Sequence, residues 1–259
     1  MEKIVPKKRT YDTPILFIHG AWHGAWCWKN FMNFLADKGF ACYALDLPAH
    51  GERRGGDENI HWQTLGTYLT AVRKVAAEIG NPFVIGHSMG GYIAMLYMQE
   101  ANPPGAVLIG SIPFRRLPPG TFAKMTKDFP MMTARAMALM PTSVKDERMY
   151  RKLFLYNAPD EVCRLGYESV GQESSIPLLQ SAVPLVRLKP DRVTCPVLVA
   201  AAEHDYFFPM KGQERTALAY KGEYRLYEGM GHNLMMEDGW EKVAGDIHNW
   251  LVGLQEGAS

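Results

Sequence analysis

Residues 83–91 read Phe83-Val84-Ile85-Gly86-His87-Ser88-Met89-Gly90-Gly91, and this stretch decides the fold. An apolar, strand-like run ends there in a Gly-x-Ser-x-Gly motif, and a helical pattern follows from Tyr92 to Glu100. In this strand–turn–helix context the motif predicts a sharp turn that exposes the serine hydroxyl. Glycines two residues before and after the serine leave room for the backbone that crowds such a turn. Ser88 is therefore the candidate nucleophile.

Strand-like segments alternate with helical ones on both sides of this motif. Strands that alternate with helices at this spacing predict βαβ units, and hence an α/β fold with a mostly parallel sheet. Helices cover both faces of such a sheet. The predicted strands are residues 14–18, 40–45, the apolar run from 83 that ends in the motif, 106–109, 195–202 and 223–227.

The alternation stops between residues 112 and 190, where helix-like segments and prolines appear without a clear strand. We interpret 112–190 as a helical lid inserted into an α/β core made of residues 1–111 and 191–259. Methionines cluster in the lid, and methionine packs adaptably against variable apolar shapes. The predicted substrate-binding residues are Trp22, Phe129, Met132 and Met137. Ordinary packing inside the lid explains the methionines equally well.

The composition excludes several functional classes. The chain has 259 residues, of which 47% are apolar and 21% charged, as in ordinary soluble globular proteins. A net charge of +1 creates no field of one sign that would attract nucleic acid or anionic lipid. No run approaches the ~20 apolar residues that a membrane span needs. We therefore expect no nucleic-acid or membrane partner, and a monomer or homodimer.

The cysteines predict neither a disulfide framework nor a metal site. They are scattered through the chain without a Cys-x-x-Cys pair. The first ten residues carry charges but no apolar core of a secretory signal. A reduced, cytoplasmic protein without a metal or organic cofactor is the simplest expectation. The four positions are Cys27, Cys42, Cys163 and Cys195.

A serine hydroxyl needs a base to accept its proton, and that base needs an acid to orient it. Functional loops of an open α/β sheet lie beyond the carboxyl ends of its strands. His232 follows the last predicted strand and is the candidate base. Asp205 follows the preceding predicted strand and is the candidate acid, whereas Glu203 lies too close to the strand end. The order Ser88, Asp205, His232 is the order expected with this turn.

Acyl transfer also needs donors that face the developing oxyanion. One should be the backbone N–H of Met89, directly after the nucleophile at a helix N-terminus. The other should come from the loop after the first strand, where we choose Ala21. A plain glycine-containing turn is the alternative interpretation of that loop.

Together these residues resemble the α/β-hydrolase superfamily over nearly the whole chain. The run His19-Gly20-Ala21-Trp22-His23-Gly24-Ala25-Trp26 is similar to the plant methylesterase and hydroxynitrile lyase branch, and it also occurs in bacterial esterases. The resemblance implies an α/β-hydrolase fold. Too few residues precede Ile15 for the family's leading hairpin, so we expect a sheet of about six strands.

The predicted function is a serine hydrolase that cleaves carboxylic esters of small or medium apolar substrates through an acyl-enzyme. The same machinery serves lactonases, thioesterases and amidases, and a fold cannot choose among them. A ligand-binding protein with low turnover is the alternative from another class. Lyases of the resembling branch carry a lysine after the catalytic histidine and a threonine in the oxyanion turn. Asn233 and Gly20-Ala21 occupy those places here, which favours an esterase.

Overall fold

The computed structural model describes residues 1–115, 119–182 and 186–257. Residues 116–118 and 183–185 of the predicted lid, and residues 258–259 of the predicted core, lie outside the described part. The described strands form a seven-stranded sheet and a separate two-stranded ribbon. In spatial order, the sheet consists of β1 (Glu2–Ile4), β3 (Cys42–Leu45), β2 (Ile15–Ile18), β4 (Phe83–His87), β5 (Ala106–Ile109), β8 (Val197–Ala202) and β9 (Glu223–Tyr227).

The sheet has one strand more than the sequence predicts. β1 pairs with β3 antiparallel, with Glu2 opposite Ala44, whereas the other neighbouring strands pair in parallel. Sequence patterns missed β1 because it has three residues and is only partly buried, so it carries neither an apolar run nor a usable alternation.

Helices cover both faces of the sheet. The helices of this part are α1 (Lys29–Asp37), α2 (Leu65–Ile79), α3 (Met89–Ala101), α9 (Met210–Ala219) and α10 (Trp240–Glu256). Successive side chains of a strand point to opposite faces, and the buried residues of β2 divide accordingly. Leu16 and Ile18 pack in one core with α2 and α3, while Ile15 and Phe17 pack in a second core with α1 and α10.

Residues 112–190, which we call the helical segment, lie between β5 and β8. Two strands there, β6 (Thr142–Ser143) and β7 (Gln172–Glu173), pair antiparallel with Thr142 opposite Glu173. The prediction of no strand in this segment was wrong, because two-residue strands are too short to leave a pattern. Its helices are α4 (Pro119–Asp128), α5 (Pro130–Met137), α6 (Glu147–Phe154), α7 (Asp160–Ser169) and α8 (Ser175–Ala182).

The described helices were also compared with the length and hydropathy that a lipid bilayer requires. None within residues 1–115, 119–182 and 186–257 is long and apolar enough to cross one.

Candidate active site

Ser88 lies in the turn between β4 and α3, at the carboxyl edge of the sheet. Its backbone has φ 54° and ψ −118°, a region that costs a non-glycine residue about 1–3 kcal/mol. The backbone packs tightly at this turn. A Cβ on Gly86 would lie 2.5 Å from the carbonyl oxygen of Gly90, and a Cβ on Gly90 would overlap the carbonyl oxygen of Ile18. Glycine is therefore required on both sides of this strained serine.

His232 and Asp205 form a buried pair beside this turn. The distance from His232 Nδ1 to Asp205 Oδ2 is 2.8 Å, and both side chains are almost fully buried. A carboxylate only accepts, so Nδ1 carries the proton and the lone pair lies on Nε2. The other oxygen of Asp205 accepts the backbone N–H groups of Phe207, at 2.8 Å, and Phe208, at 3.0 Å. These contacts fix both the tautomer and the orientation of the imidazole.

The rival acid, Glu203, faces another way. Its Oε2 accepts the backbone N–H of Gly229 at 2.9 Å and lies 3.5 Å from His204 Nε2. Gly110 lies beside the pair and leaves room for it, because a Cβ at this position would lie 3.3 Å from both Asp205 Oδ2 and His232 Nδ1. The structure thus brings together the acid and base that the sequence selects, and it leaves Glu203 out.

Nε2 of His232 is buried and has no hydrogen-bond partner among the described residues. The Ser88 hydroxyl, which borders the adjoining cavity, therefore makes no hydrogen bond to it in this conformation. Such bonds are often long without substrate and tighten in the reactive complex. The rings of Phe207 and Phe208 stand 4.7 and 5.6 Å from the imidazole and shield it from water.

His87, next to the nucleophile, contacts both the backbone and the ring of His232. Its Nε2 donates to the backbone carbonyl of His232 at 3.1 Å, and the two rings stand 4.6 Å apart. Burial, followed by the proximity of His232, lowers the pKa of His87 well below its usual value. His87 therefore stays neutral and holds the backbone of His232.

The loop after β2 approaches the nucleophile closely, because a Cβ on Gly20 would lie 2.8 Å from the Cβ of Ser88. The Gly20 carbonyl accepts from His19 Nδ1 at 2.8 Å and from the His23 backbone N–H at 3.3 Å. In a trans peptide the N–H points opposite to the C=O, so these bonds also fix the direction of the Ala21 N–H. Ala21 and Ser88 line the same cavity.

Met89 is the first residue of α3, where a backbone N–H has no partner within the helix. The positive end of the helix dipole adds to its attraction for negative charge. The two predicted oxyanion donors thus come from different elements, with Ala21 in the loop after β2 and Met89 at the start of α3. We keep their joint role as a proposal.

Two more buried histidines hold the loop after β2. His19 Nε2 accepts the Leu47 backbone N–H at 3.0 Å, and His23 Nε2 accepts from Asn233 Nδ2 at 3.0 Å. In each ring Nδ1 donates to a backbone carbonyl, that of Gly20 for His19 and that of Ala21 for His23. Burial lowers the pKa of His19 well below its usual value and that of His23 to about 4. Both rings are therefore neutral.

The sequence analysis missed a second buried pair of a histidine and a carboxylate. His50 Nε2 lies 2.9 Å from Glu173 Oε2, and both side chains are fully buried. Burial opposes the charged imidazole, but the Glu173 carboxylate outweighs it and raises the pKa of His50. A His-Gly turn after a strand was visible at residues 50–51, but nothing in the sequence connected it to a glutamate more than a hundred positions away.

An apolar cavity of about 120 Å³ adjoins the nucleophile. Of the predicted substrate-binding residues, Trp22, Met132 and Met137 line it, and Phe129 does not. Phe129 instead packs 6.0 Å from the ring of Tyr206, with Lys152 Nζ 5.4 Å from its own ring. Sequence reasoning missed several further lining side chains: Ile112, Phe122, Met125, Leu178, Phe207 and Phe208.

A larger groove of about 1260 Å³ runs along Phe114, Arg215 and Leu218. Neither Ser88, Asp205 nor His232 lines it, so its size does not make it the active site. No three His, Cys, Asp or Glu side chains of residues 1–115, 119–182 and 186–257 are grouped as metal ligands would be.

Comparison with known proteins places this geometry in a family. The alpha/beta hydrolase family model matches residues 15–246. The chain is 33% identical to methylesterase 9 of Arabidopsis thaliana over 31% of its own length and 32% of that protein. It is 30% identical to norfluorocurarine synthase 1 of Strychnos nux-vomica over 47% of its own length and 46% of that protein.

The structural comparison covers more of the chain. The crystal structure of a Paleococcus ferrophilus monoacylglycerol lipase superposes with a TM-score of 0.72 at 22% identity, over 98% of this chain and all of the other. This likeness concerns the fold. The two plant relatives are matched over less than half of their own length. The family match, by contrast, extends from β2 into α10, and the chain therefore belongs to the alpha/beta hydrolase family.

Proposed function

We propose that the protein is a serine hydrolase that cleaves carboxylic esters of small or medium apolar substrates. The observation that carries the proposal is His232: its Nδ1 is fixed by Asp205 at 2.8 Å, while its buried Nε2 lacks a partner among the described residues. An imidazole held in this way presents a lone pair to one side only. The strained Ser88 borders the cavity next to it.

The proposed reaction begins when Ser88 Oγ attacks the ester carbonyl and His232 Nε2 takes the serine proton. The backbone N–H groups of Ala21 and Met89 bind the oxyanion of the tetrahedral intermediate. As the intermediate collapses, the carbon–oxygen bond to the alcohol breaks and the alcohol leaves with the proton from His232. Water then attacks the acyl-enzyme by the same route, with Asp205 orienting the imidazole throughout.

The cavity supports the assignment of the substrate class. Its walls are mainly apolar, with Ser88, Thr133, Thr142 and Ser181 as the polar exceptions. At about 120 Å³ it is well below the roughly 300–1,000 Å³ of a typical ligand pocket. A short acyl or alcohol group fits it, and we propose that the helical segment acts as a lid over this site.

The alternatives differ in the bond that is cleaved and in the leaving group that His232 protonates. Lactones, thioesters and amides use the same steps, and the names of the relatives include esterases and a synthase. A cyanohydrin lyase would need a cation beside His232 for the departing cyanide. Asn233 is neutral, and its amide is engaged with His23 at 3.0 Å and Tyr150 at 3.3 Å.

Free thiols at all four cysteines agree with a reducing, cytoplasmic setting.

A fluorophosphonate probe combined with ester kinetics tests the proposal. We expect labelling at Ser88 that is abolished in Ser88→Ala, with a loss of kcat of about 10⁴-fold or more on p-nitrophenyl acetate. Asp205→Asn should lose roughly 10³- to 10⁴-fold, since it upsets the tautomer of His232, while Glu203→Gln serves as the matched control with near-normal kcat.

Labelling of another serine, or ester hydrolysis by Ser88→Ala at the wild-type rate, would overturn the assignment. Mandelonitrile assayed in parallel separates the classes: cyanide release that outpaces ester hydrolysis would favour a lyase. Stoichiometric binding of an apolar ester without turnover would favour the ligand-binding alternative.

A further inference from the structure

Glu173 sits at the centre of a buried network that the proposed chemistry does not use. Its Oε1 accepts the Tyr68 hydroxyl at 2.8 Å and the Ser174 backbone N–H at 2.8 Å. Its Oε2 accepts His50 Nε2 at 2.9 Å and the Trp22 backbone N–H at 3.3 Å. The carboxylate is completely buried, and desolvating a charge is costly unless it is fully paired. Four donors on two oxygens satisfy it.

One of these four contacts reaches the oxyanion turn. Trp22 directly follows Ala21 and has φ 64°, a left-handed conformation that is strained for a bulky residue. Residues of the helical segment bind all three of its polar groups. The Trp22 N–H bonds to Glu173, its carbonyl accepts the Gly171 N–H at 2.8 Å, and its indole Nε1 donates to Thr142 Oγ1 at 3.2 Å.

The Trp22 N–H belongs to the peptide unit that directly follows the proposed donor. That peptide is held at its two ends: His23 Nδ1 binds the Ala21 carbonyl at 2.8 Å, and Glu173 binds the Trp22 N–H at 3.3 Å. Rotation of this peptide changes ψ of Ala21 and φ of Trp22, and so shifts Ala21 within the turn. The direction of the Ala21 N–H is set by the Gly20 carbonyl contacts, and an acceptor for the Trp22 N–H restricts how far Ala21 and its N–H can be displaced.

We propose that Glu173 is a positioning residue that holds the oxyanion turn from the helical segment, with His50 fixing the carboxylate oxygen that accepts the Trp22 N–H. This inference rests on the proposed ester hydrolysis and its oxyanion donors. It connects the ribbon of β6 and β7 to the reaction, because Thr142 and Glu173 are paired there and both bind Trp22.

Glu173→Gln isolates the contact with Trp22. Without the carboxylate, buried His50 becomes neutral, keeps its Nδ1 proton for the Pro48 carbonyl at 2.9 Å, and offers an Nε2 lone pair. With its NH₂ group in place of Oε2, the substituted amide can then donate to His50 and still accept from Tyr68 and Ser174. Only the Trp22 N–H is left facing another donor. The opposite orientation of the amide would lose the Ser174 and His50 bonds, so the orientation with the NH₂ group facing His50 is favoured.

Tyr68→Phe is the matched control, because it removes one hydrogen bond from the other carboxylate oxygen and leaves the charge and the Trp22 contact in place. For p-nitrophenyl acetate we expect Glu173→Gln to lower kcat by about 10- to 100-fold, as misplaced catalytic groups do, with KM changed by less than about threefold. Its affinity for a trifluoromethyl ketone, which forms a tetrahedral adduct with serine, should weaken by a similar factor. Tyr68→Phe should keep kcat within about twofold.

Circular dichroism melting establishes that each variant is folded at the assay temperature. If Glu173→Gln is not, Thr142→Val takes its place with the same expectations at about threefold to tenfold. It removes the indole bond of Trp22 and replaces a cavity hydroxyl by a methyl group of similar size. A kcat within twofold of wild type, an effect on KM alone, or equal losses in Glu173→Gln and Tyr68→Phe would overturn the positioning role. Ser88→Ala is assayed alongside: if it stays active, the proposed function fails first; if it is inactive while Glu173→Gln is normal, only this inference fails.

Discussion

Two buried pairs of histidine and carboxylate can be compared in this molecule. In the first, at the sheet edge, His232 meets Asp205 through Nδ1 at 2.8 Å and keeps Nε2 unpartnered among the described residues. In the second, against the helical segment, His50 meets Glu173 through Nε2 at 2.9 Å and uses Nδ1 for the Pro48 carbonyl. Residue types, distances and burial are nearly the same.

The two pairs differ in whether one nitrogen of the imidazole ring is left without a hydrogen-bond partner among the described residues. His232 has a lone pair that can accept a proton, whereas both nitrogens of His50 act as donors and none is left. The surroundings agree with this difference, since the Glu173 carboxylate raises the pKa of His50 against the effect of burial. A buried histidine–carboxylate pair can therefore act as a base only when no backbone carbonyl occupies the second ring nitrogen, as one does in His50.

The largest expected effect compares the two histidines directly. His232→Gln should lower kcat on p-nitrophenyl acetate by about 10⁴-fold or more, because it removes the proposed acceptor of the Ser88 proton. His50→Gln should lower kcat by at most about tenfold, while its Tm falls because it leaves the buried Glu173 without a cation. Steady-state kinetics at a temperature where both variants are folded measures the difference.

Comparable losses of kcat in the two variants would contradict the distinction between base and structural pair. A large loss in His50→Gln together with an unchanged Tm would contradict it more strongly, since it would mean that His50 acts in the reaction.

The pair of Asp205 and His232 could be predicted from the sequence, and the pair of His50 and Glu173 could not. Asp205 and His232 lie in the loops that follow β8 and β9, and loops at that edge of a parallel sheet converge whatever lies elsewhere. Glu173 lies in a two-residue strand of the helical segment, where no repeating pattern leads to its partners. Its meeting with His50 and Tyr68 depends on how that segment packs on the core.

The same contrast applies to the fold. Buried parallel strands appear in a sequence as apolar runs, so β2 to β5 and β8 were predicted. β9 was also predicted, although most of its residues are exposed or half-buried. The short edge strand β1 and the ribbon of β6 and β7 were missed because they have three and two residues. Phe129, predicted to bind substrate, lies outside the cavity beside Tyr206. An aromatic residue beside methionines fits a cavity wall and ordinary packing around α5 equally well, so the sequence does not distinguish the two.

A smaller effect is expected for the walls of the cavity, where the helical segment meets the sheet edge. Met132 is buried and lines the cavity, whereas Phe129 packs beside Tyr206 outside it. Met132→Ala should enlarge the acyl site and raise kcat/KM for hexanoate relative to acetate by up to about tenfold, the usual value of a methylene or two in an apolar pocket. Phe129→Ala should leave this ratio unchanged.

Both substitutions remove apolar contacts, those of buried Met132 and of half-buried Phe129, so both should lower the Tm. The free energy of unfolding should fall by about 2–5 kcal/mol for a fully buried side chain and by less at Phe129. Relative kcat/KM over a series of p-nitrophenyl esters separates selectivity from stability. An equal change of the ratio in both variants, or in neither, would mean that the cavity does not hold the acyl chain.

The smallest expected effect concerns pH, and it separates the neutral histidines from His50. Burial lowers the pKa of His23 to about 4 and the pKa values of His19 and His87 well below normal, so all three bind a proton more readily in the unfolded chain. Their contribution to stability is therefore complete above the unfolded value of about 6.5 and is lost as the pH falls toward the folded value. His50 behaves in the opposite sense, because its raised pKa adds stability at low pH that disappears only as the pH rises through its folded pKa.

Unfolding in urea between pH 7 and pH 5 should consequently show stability that falls on acidification, with each neutral histidine contributing up to about 1.4 kcal/mol per pH unit. His23→Gln should reduce that slope by about one proton, since an amide can replace both hydrogen bonds of the ring but cannot be protonated in this range. His50→Gln should leave the slope below pH 6 unchanged, because His50 is protonated there in both states. A slope that His50→Gln alters and His23→Gln does not would reverse the assignment of charge between the two histidines.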